Sequence, residues 1–179
     1  MRAVVLAALV LASLGADAVA QTWSYLDCAA SRIVVPDDFY CRTTSPYAAT
    51  MAIAGGNGGG AFQAWTAAGT TGKARLYYIL TASVGTSGGV RPIALAEDIL
   101  KLPSAKRSTG MSDLVRRGDA DTVTFKSAAN QSCIGIRKVG PSSLTAYRWV
   151  LQATSCLPAG QVASDADIDA FIREARVRN

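Results

Sequence analysis

Four cysteines, a set of clustered bases and a complete lack of histidine define the chemistry open to this chain. Cys28, Cys41, Cys133 and Cys156 are even in number, as disulfides require, and four cysteines allow three pairings. Cys28–Cys41 and Cys133–Cys156 each bracket a short local segment, which favours that connectivity. A four-cysteine zinc site would want Cys-x-x-Cys spacing, and none is present. Cys133 has no base beside it to activate a free thiol.

Without histidine, Ser-His-Asp and Cys-His catalysis and nearly all catalytic zinc sites are closed. Carboxylate and Ser–Lys hydrolysis stay open. Ser104 with Lys106, and Lys126 with Ser127, are neighbours in sequence. A catalytic lysine must be desolvated to lose its proton, and these stretches are polar. The acidic pairs Asp37-Asp38, Glu97-Asp98 and Asp119/Asp121 read as turn, helix and loop residues. Residues 67–73 (AAGTTGK) imitate a phosphate loop but lack its first Gly and the Ser or Thr after the lysine. Gly55–Gly60 reads as a loop tip or hinge whose N–H groups could cradle an anion. No catalytic residue, metal or cofactor is assigned.

The chain carries a net charge of +5. Its excess bases cluster at Lys101, Lys106, Arg107, Arg116, Arg117, Arg137 and Lys138, which are the candidates for binding an anion. An anionic envelope polymer or another exported protein would fit such a surface. Aromatic residues do not interleave with these bases, which argues against nucleic acid. Trp23, Trp65 and Trp149 are open to a core or a ligand-platform role, and Trp149, alternating with Tyr147 and Leu151, reads as core. Trp23, near the start of the folded chain, is the freest to act as a ligand platform. Asn130-Gln131-Ser132 matches a glycosylation sequon, read here as a chance occurrence.

The elements that must position these groups follow from periodicity. Residues 22–44 predict two strands about the turn at Pro36-Asp37-Asp38, with the β-branched run Ile33–Val35 in the first. Residues 47–54 suit a strand or a short helix. Phe62–Ala68 and Lys73–Val84 predict a hairpin about Gly69–Gly72. Ile93–Leu102 places Leu95, Ile99 and Leu102 on one helical face, ending at Pro103, and one further helical turn is expected over Ser112–Arg117. Alternation about Val123/Phe125, Ile134/Ile136 and Tyr147/Trp149/Leu151 predicts a three-stranded meander with turns at Ala128–Gln131 and Gly140–Ser143. Ser164 and Asp167 form a capping pair before an amphipathic helix of Ile168, Phe171, Ile172 and Ala175. Acids open that helix; Arg173, Arg176 and Arg178 close it.

Residues 1–20 have the order of a signal peptide: Arg2, the apolar run Val4–Leu14, then Ala18-Val19-Ala20 before a cut ahead of Gln21. The run is shorter than the roughly 20 residues a span needs, so no membrane span is expected in the mature form. The expected organisation is a leader over 1–20 and one globular domain over 21–179. The expected fold is α+β: an antiparallel sheet of hairpins and meander, a C-terminal helix on one face, and two disulfides. The function that fits is a periplasmic or secreted binding protein without catalysis. A carboxylate or Ser–Lys hydrolase and a structural or inhibitor-like envelope protein are the alternatives.

Overall fold

The computed structural model describes residues 22–36, 38–45, 47–53, 56–69, 74–82, 105, 107–143 and 146–178. The leader expected over 1–20, the helix expected over Ile93–Leu102, the Ser104–Lys106 pair, Glu97-Asp98 and Asp37 lie outside them.

The chain is mainly antiparallel sheet with one C-terminal α-helix, so α+β describes it loosely. In chain order the strands of the large sheet are β1 (Trp23–Leu26), β3 (Phe39–Thr44), β4 (Tyr47–Ile53), β5 (Gly56–Gly69), β6 (Ala74–Ala82), β7 (Val115–Arg117), β8 (Ala120–Lys126), β9 (Ser132–Val139) and β12 (Trp149–Cys156). Their spatial order is β1-β3-β5-β6-β12-β9-β8-β7, with β4 on β5. Two short pairs lie outside this sheet. β2 (Ile33–Val34) pairs with β13 (Arg176–Val177), and β10 (Ser142–Ser143) pairs with β11 (Ala146–Tyr147). The helix α1 spans Asp165–Glu174.

The expected hairpin is present as β5 and β6, but β5 is much longer than Phe62–Ala68. Gly56–Gly60 are not a loop tip or hinge; they open this strand. Residues 47–53, left between strand and helix by their weak pattern, supply the partner: Ile53 faces Gly56 and Ala49 faces Gly60. The ladder hydrogen bonds offset the entropy that glycine loses, which local composition could not reveal. β3 and β4 are thus two stretches of one run along the same edge of β5. Among the described residues Gly56–Ala61 pair with β4 alone.

The helical turn expected over Ser112–Arg117 is also replaced by strand. Gly118, at φ 56°, lets the chain reverse within Gly118-Asp119, and β7 pairs back on β8. The meander β8–β9–β12 forms as read. Its first turn is closed by Asn130 N–H donating to the Ser127 carbonyl at 2.9 Å. Its second turn grows into the β10–β11 hairpin, which takes Tyr147 out of the β12 alternation. Trp149 lies over Gly140, where a Cβ would stand 2.5 Å from the indole.

Both disulfides are those favoured by spacing, Cys28–Cys41 and Cys133–Cys156. The capping pair holds too: Ser164 Oγ accepts from Asp167 N–H, and Asp167 accepts from Ser164 N–H. The helix stops at Glu174, so Arg176 and Arg178 lie beyond it. Arg178 donates to the carbonyls of Cys28, Ala29 and Ser31 and ties the C-terminus to the first disulfide.

Strand pairing sorts the side chains onto two faces. On one face α1 buries Ile168, Phe171 and Ile172 against Tyr77, Ile134, Ile136, Leu151 and Ala153. Tyr77 sits between Phe39 and Phe171, with centroids 5.7 and 5.8 Å away. On the opposite face Val123, Phe125, Cys133 and Cys156 pack with Ala105, Leu76 and Met111.

Candidate ligand-binding face

The seven candidate bases do not gather into one patch among the described residues. Lys101 and Lys106 lie outside these residues, and Arg107 is exposed in a left-handed turn at φ 68°. The other four come together on β7 and β9, but as sequence neighbours in strands they point to opposite faces. Arg116 and Arg137 share the face away from α1 and converge on Asp121, each at 2.9 Å. Arg117 points toward α1 and meets Asp165 at 2.5 Å and Asp169 at 3.7 Å. Lys138 is buried on that side and reaches Asp119 at 3.0 Å. The arrangement is a network of alternating charge.

Asp121 shows the electrostatics of that network. Burial pushes its carboxyl up, but hydrogen bonds and charge from Arg116 and Arg137 outweigh this and hold it below the usual carboxylate value. Tyr77 is shifted the other way. Burial and the charge of Glu174 raise its phenol to about 12, against the lowering effect of Arg75. Ser127, proposed beside Lys126, uses its hydroxyl to accept from Gln131 N–H in the turn. Residues 67–69 of the phosphate-loop lookalike end β5, and Ala74 opens a strand where that motif needs a helix. Among the described residues no group of three or more His, Cys, Asp or Glu is placed to hold a metal ion. No described helix is long and apolar enough to cross a membrane.

A different cluster stands out at the other end of the sheet. β1 is an edge strand, and its register on β3 sets Tyr25 opposite Arg42 and Trp23 opposite Thr44. Trp23, Tyr25, Tyr40 and Arg42 therefore share the face away from α1. The Arg42 guanidinium lies over both rings, 5.6 Å from the Trp23 centroid and 5.2 Å from that of Tyr25. Tyr25 and Tyr40 are 75% and 64% exposed, large rings left in water. The Nε of Arg42 is buried and has no hydrogen-bond partner among the described residues. No described carboxylate pairs with Arg42, in contrast to Arg75, Arg116, Arg117 and Arg137.

The scaffold beneath is stiff. Cys41, between Tyr40 and Arg42, points to the other face and is bridged to Cys28. Thr44 Oγ1 accepts from Ala64 N–H at 3.1 Å, and Thr43 Oγ1 donates to the Ala64 carbonyl at 3.0 Å. Of this cluster, sequence reasoning singled out Trp23 alone. The signal for the others was two same-face alternations, Trp23/Tyr25 and Tyr40/Arg42. Trp65 and Trp149 pack against the core below α1, and the Trp65 indole N–H is buried without a partner among the described residues. Comparison of the chain with protein-family models, with curated proteins and with solved structures found no match.

Proposed function

We propose that this chain is an exported binding protein, folded as one unit over residues 21–179, that works without catalysis. Residues 1–20 direct export and are cut after Ala20, and the protein acts in the periplasm or outside the cell. The two disulfides support that reading, because such bonds persist in oxidising compartments.

One observation carries the binding half: exposed Tyr25 and Tyr40 share a face with half-buried Trp23, and the guanidinium of Arg42 lies over the Trp23 and Tyr25 rings, bound to no described acid. Trp, Tyr and Arg are the residues that dominate binding energy at protein surfaces. Five of the described carboxylates, held in ion pairs, favour a role without catalysis. Asp119, Asp121, Asp165, Asp169 and Glu174 are each engaged by Lys or Arg. A carboxyl serving as a general acid is raised by its pocket, whereas Asp121 is lowered.

Expression of the full chain in a bacterial host, with fractionation and intact-mass measurement, tests both halves. Export predicts material outside the cytosol that begins at Gln21 and has no titratable thiol. Cytosolic material with Met1 and reduced cysteines overturns it. Binding predicts retention on at least one immobilised envelope polymer, charged or neutral. The double variant Tyr25→Ala/Tyr40→Ala should lose about ten-fold in affinity or more. Passage through every column overturns the binding reading.

A further inference from the structure

The binding reading leaves the ligand open, and the composition of the aromatic row narrows it. Rings that lie on a sheet face take ligands with flat, weakly polar faces. Trp23 and Tyr25 are two residues apart on one strand, so their rings repeat at about 7 Å along it. That suits a chain of rings better than a single small molecule. Arg42 adds a second demand. Its guanidinium is a planar fork of N–H donors that matches a carboxylate or phosphate by two parallel hydrogen bonds. Two aromatic faces hold it in place, which lowers the entropy lost when it captures an anion.

Nucleic acid also combines rings with anions, but it is held through many phosphate contacts and needs a track of bases. The other described arginines of this face, Arg116 and Arg137, are bound to Asp121. One uncommitted guanidinium among three aromatic rings fits a polymer of sugar rings with sparse acid groups. Resting on the reading of this chain as a binding protein, we propose that Trp23, Tyr25, Tyr40 and Arg42 form a subsite for an acidic polysaccharide. Tyr25, Tyr40 and Trp23 stack on sugar faces, and Arg42 receives the carboxylate of a uronate unit.

The test is titration calorimetry on the processed, disulfide-bonded protein. The probes are polygalacturonate, alginate and hyaluronate, fully methyl-esterified polygalacturonate, a neutral cello-oligosaccharide, oligo(dT) and phosphatidylglycerol vesicles. At least one of the three acidic polymers should bind. Esterifying polygalacturonate, or changing Arg42→Met, should weaken acidic-polymer binding about ten-fold or more. Arg42→Met should leave the esterified polymer unaffected. Tyr25→Ala and Tyr40→Ala should weaken acidic and esterified polymers alike. Arg42→Lys keeps the charge without the fork and serves the same test if Arg42→Met fails to fold; it too should lower the preference for the acidic form. Equal affinity for acidic and esterified polymer overturns the assignment, as does an Arg42 variant that binds like wild type. Tighter binding of oligo(dT) or vesicles than of any polysaccharide overturns it as well. In each of those cases the protein still binds something, so the broader reading stands; silence toward every probe overturns the assignment as well, and the broader reading then falls only if the protein also passes every envelope-polymer column.

Discussion

Asp121 is the residue on which the charged end of the sheet turns. It sits on β8 directly opposite Arg137 on β9 and Arg116 on β7, and its two oxygens divide between them. Arg137 is the member with most at stake, because its side chain is 11% exposed and that of Arg116 is 55% exposed. The exposed pair is worth little, whereas a largely buried guanidinium left without its acid loses charged hydrogen bonds. Asp121→Asn is therefore expected to cost about 1–2 kcal/mol at neutral pH. The pH dependence follows from the lowered carboxyl. Its contribution is complete above the ordinary carboxylate value and is lost as pH falls through the depressed one. Protonated aspartic acid resembles asparagine, so the gap in thermal stability between wild type and Asp121→Asn should close on acidification. A series of melting curves from neutral pH to well below the ordinary carboxylate value checks this: the gap should narrow steadily, and one that persists unchanged throughout would assign the effect to packing.

At the level of elements, what was legible in the sequence was what neighbours along the chain decide. The β8–β9–β12 meander shows period-two alternation and polar turns, and α1 carries its own cap and apolar stripe. The strand character of Gly56–Gly60 and Val115–Arg117 is not legible along the chain because it comes from partners, β4 and β8, that local composition does not name. The aromatic row failed for the same reason. Each alternation is visible alone, but only the register of β1 on β3 brings Arg42 over Trp23 and Tyr25. The basic cluster shows the converse: Arg116-Arg117 and Arg137-Lys138 look like one patch in sequence, and the pleat sends each neighbour to a different face. The locally encoded α1 yields a local prediction. Ser164→Ala removes the oxygen that accepts from Asp167 N–H and should cost about 1 kcal/mol. Because α1 closes the core over Tyr77, urea unfolding should lose the stability in one transition. A separate early loss of helical circular dichroism would show that α1 frays independently of the sheet.

For the whole molecule, the two disulfides divide the work unevenly. The sheet has an N-terminal half, β1, β3, β4, β5 and β6, and a C-terminal half, β12, β9, β8 and β7, joined where β6 pairs with β12. Cys28–Cys41 lies wholly in the first half and Cys133–Cys156 wholly in the second. Neither crosses the seam, which is held by the β6–β12 ladder and the core that Tyr77, Leu151 and Ala153 share with α1, and outside the sheet by the β2–β13 pair and Arg178. The bridges close segments with separations of 13 and 23 residues, so chain entropy assigns each about 3 kcal/mol, slightly more to the second. Cys28→Ala/Cys41→Ala and Cys133→Ala/Cys156→Ala should therefore lower the denaturant midpoint to a similar extent. Their effects on the aromatic row should differ. β1 is a four-residue edge strand held by β3 on one side alone, and the first bridge pins the segment that follows it. Without that bridge Trp23 should become more accessible to an aqueous fluorescence quencher, and Arg42 should lose its place over the rings. The second pair of substitutions should leave both unchanged, since Cys133 and Cys156 lie across the seam from β1. Equal quenching in the two variants would mean that β1 is held by the sheet as a whole and not by its local staple.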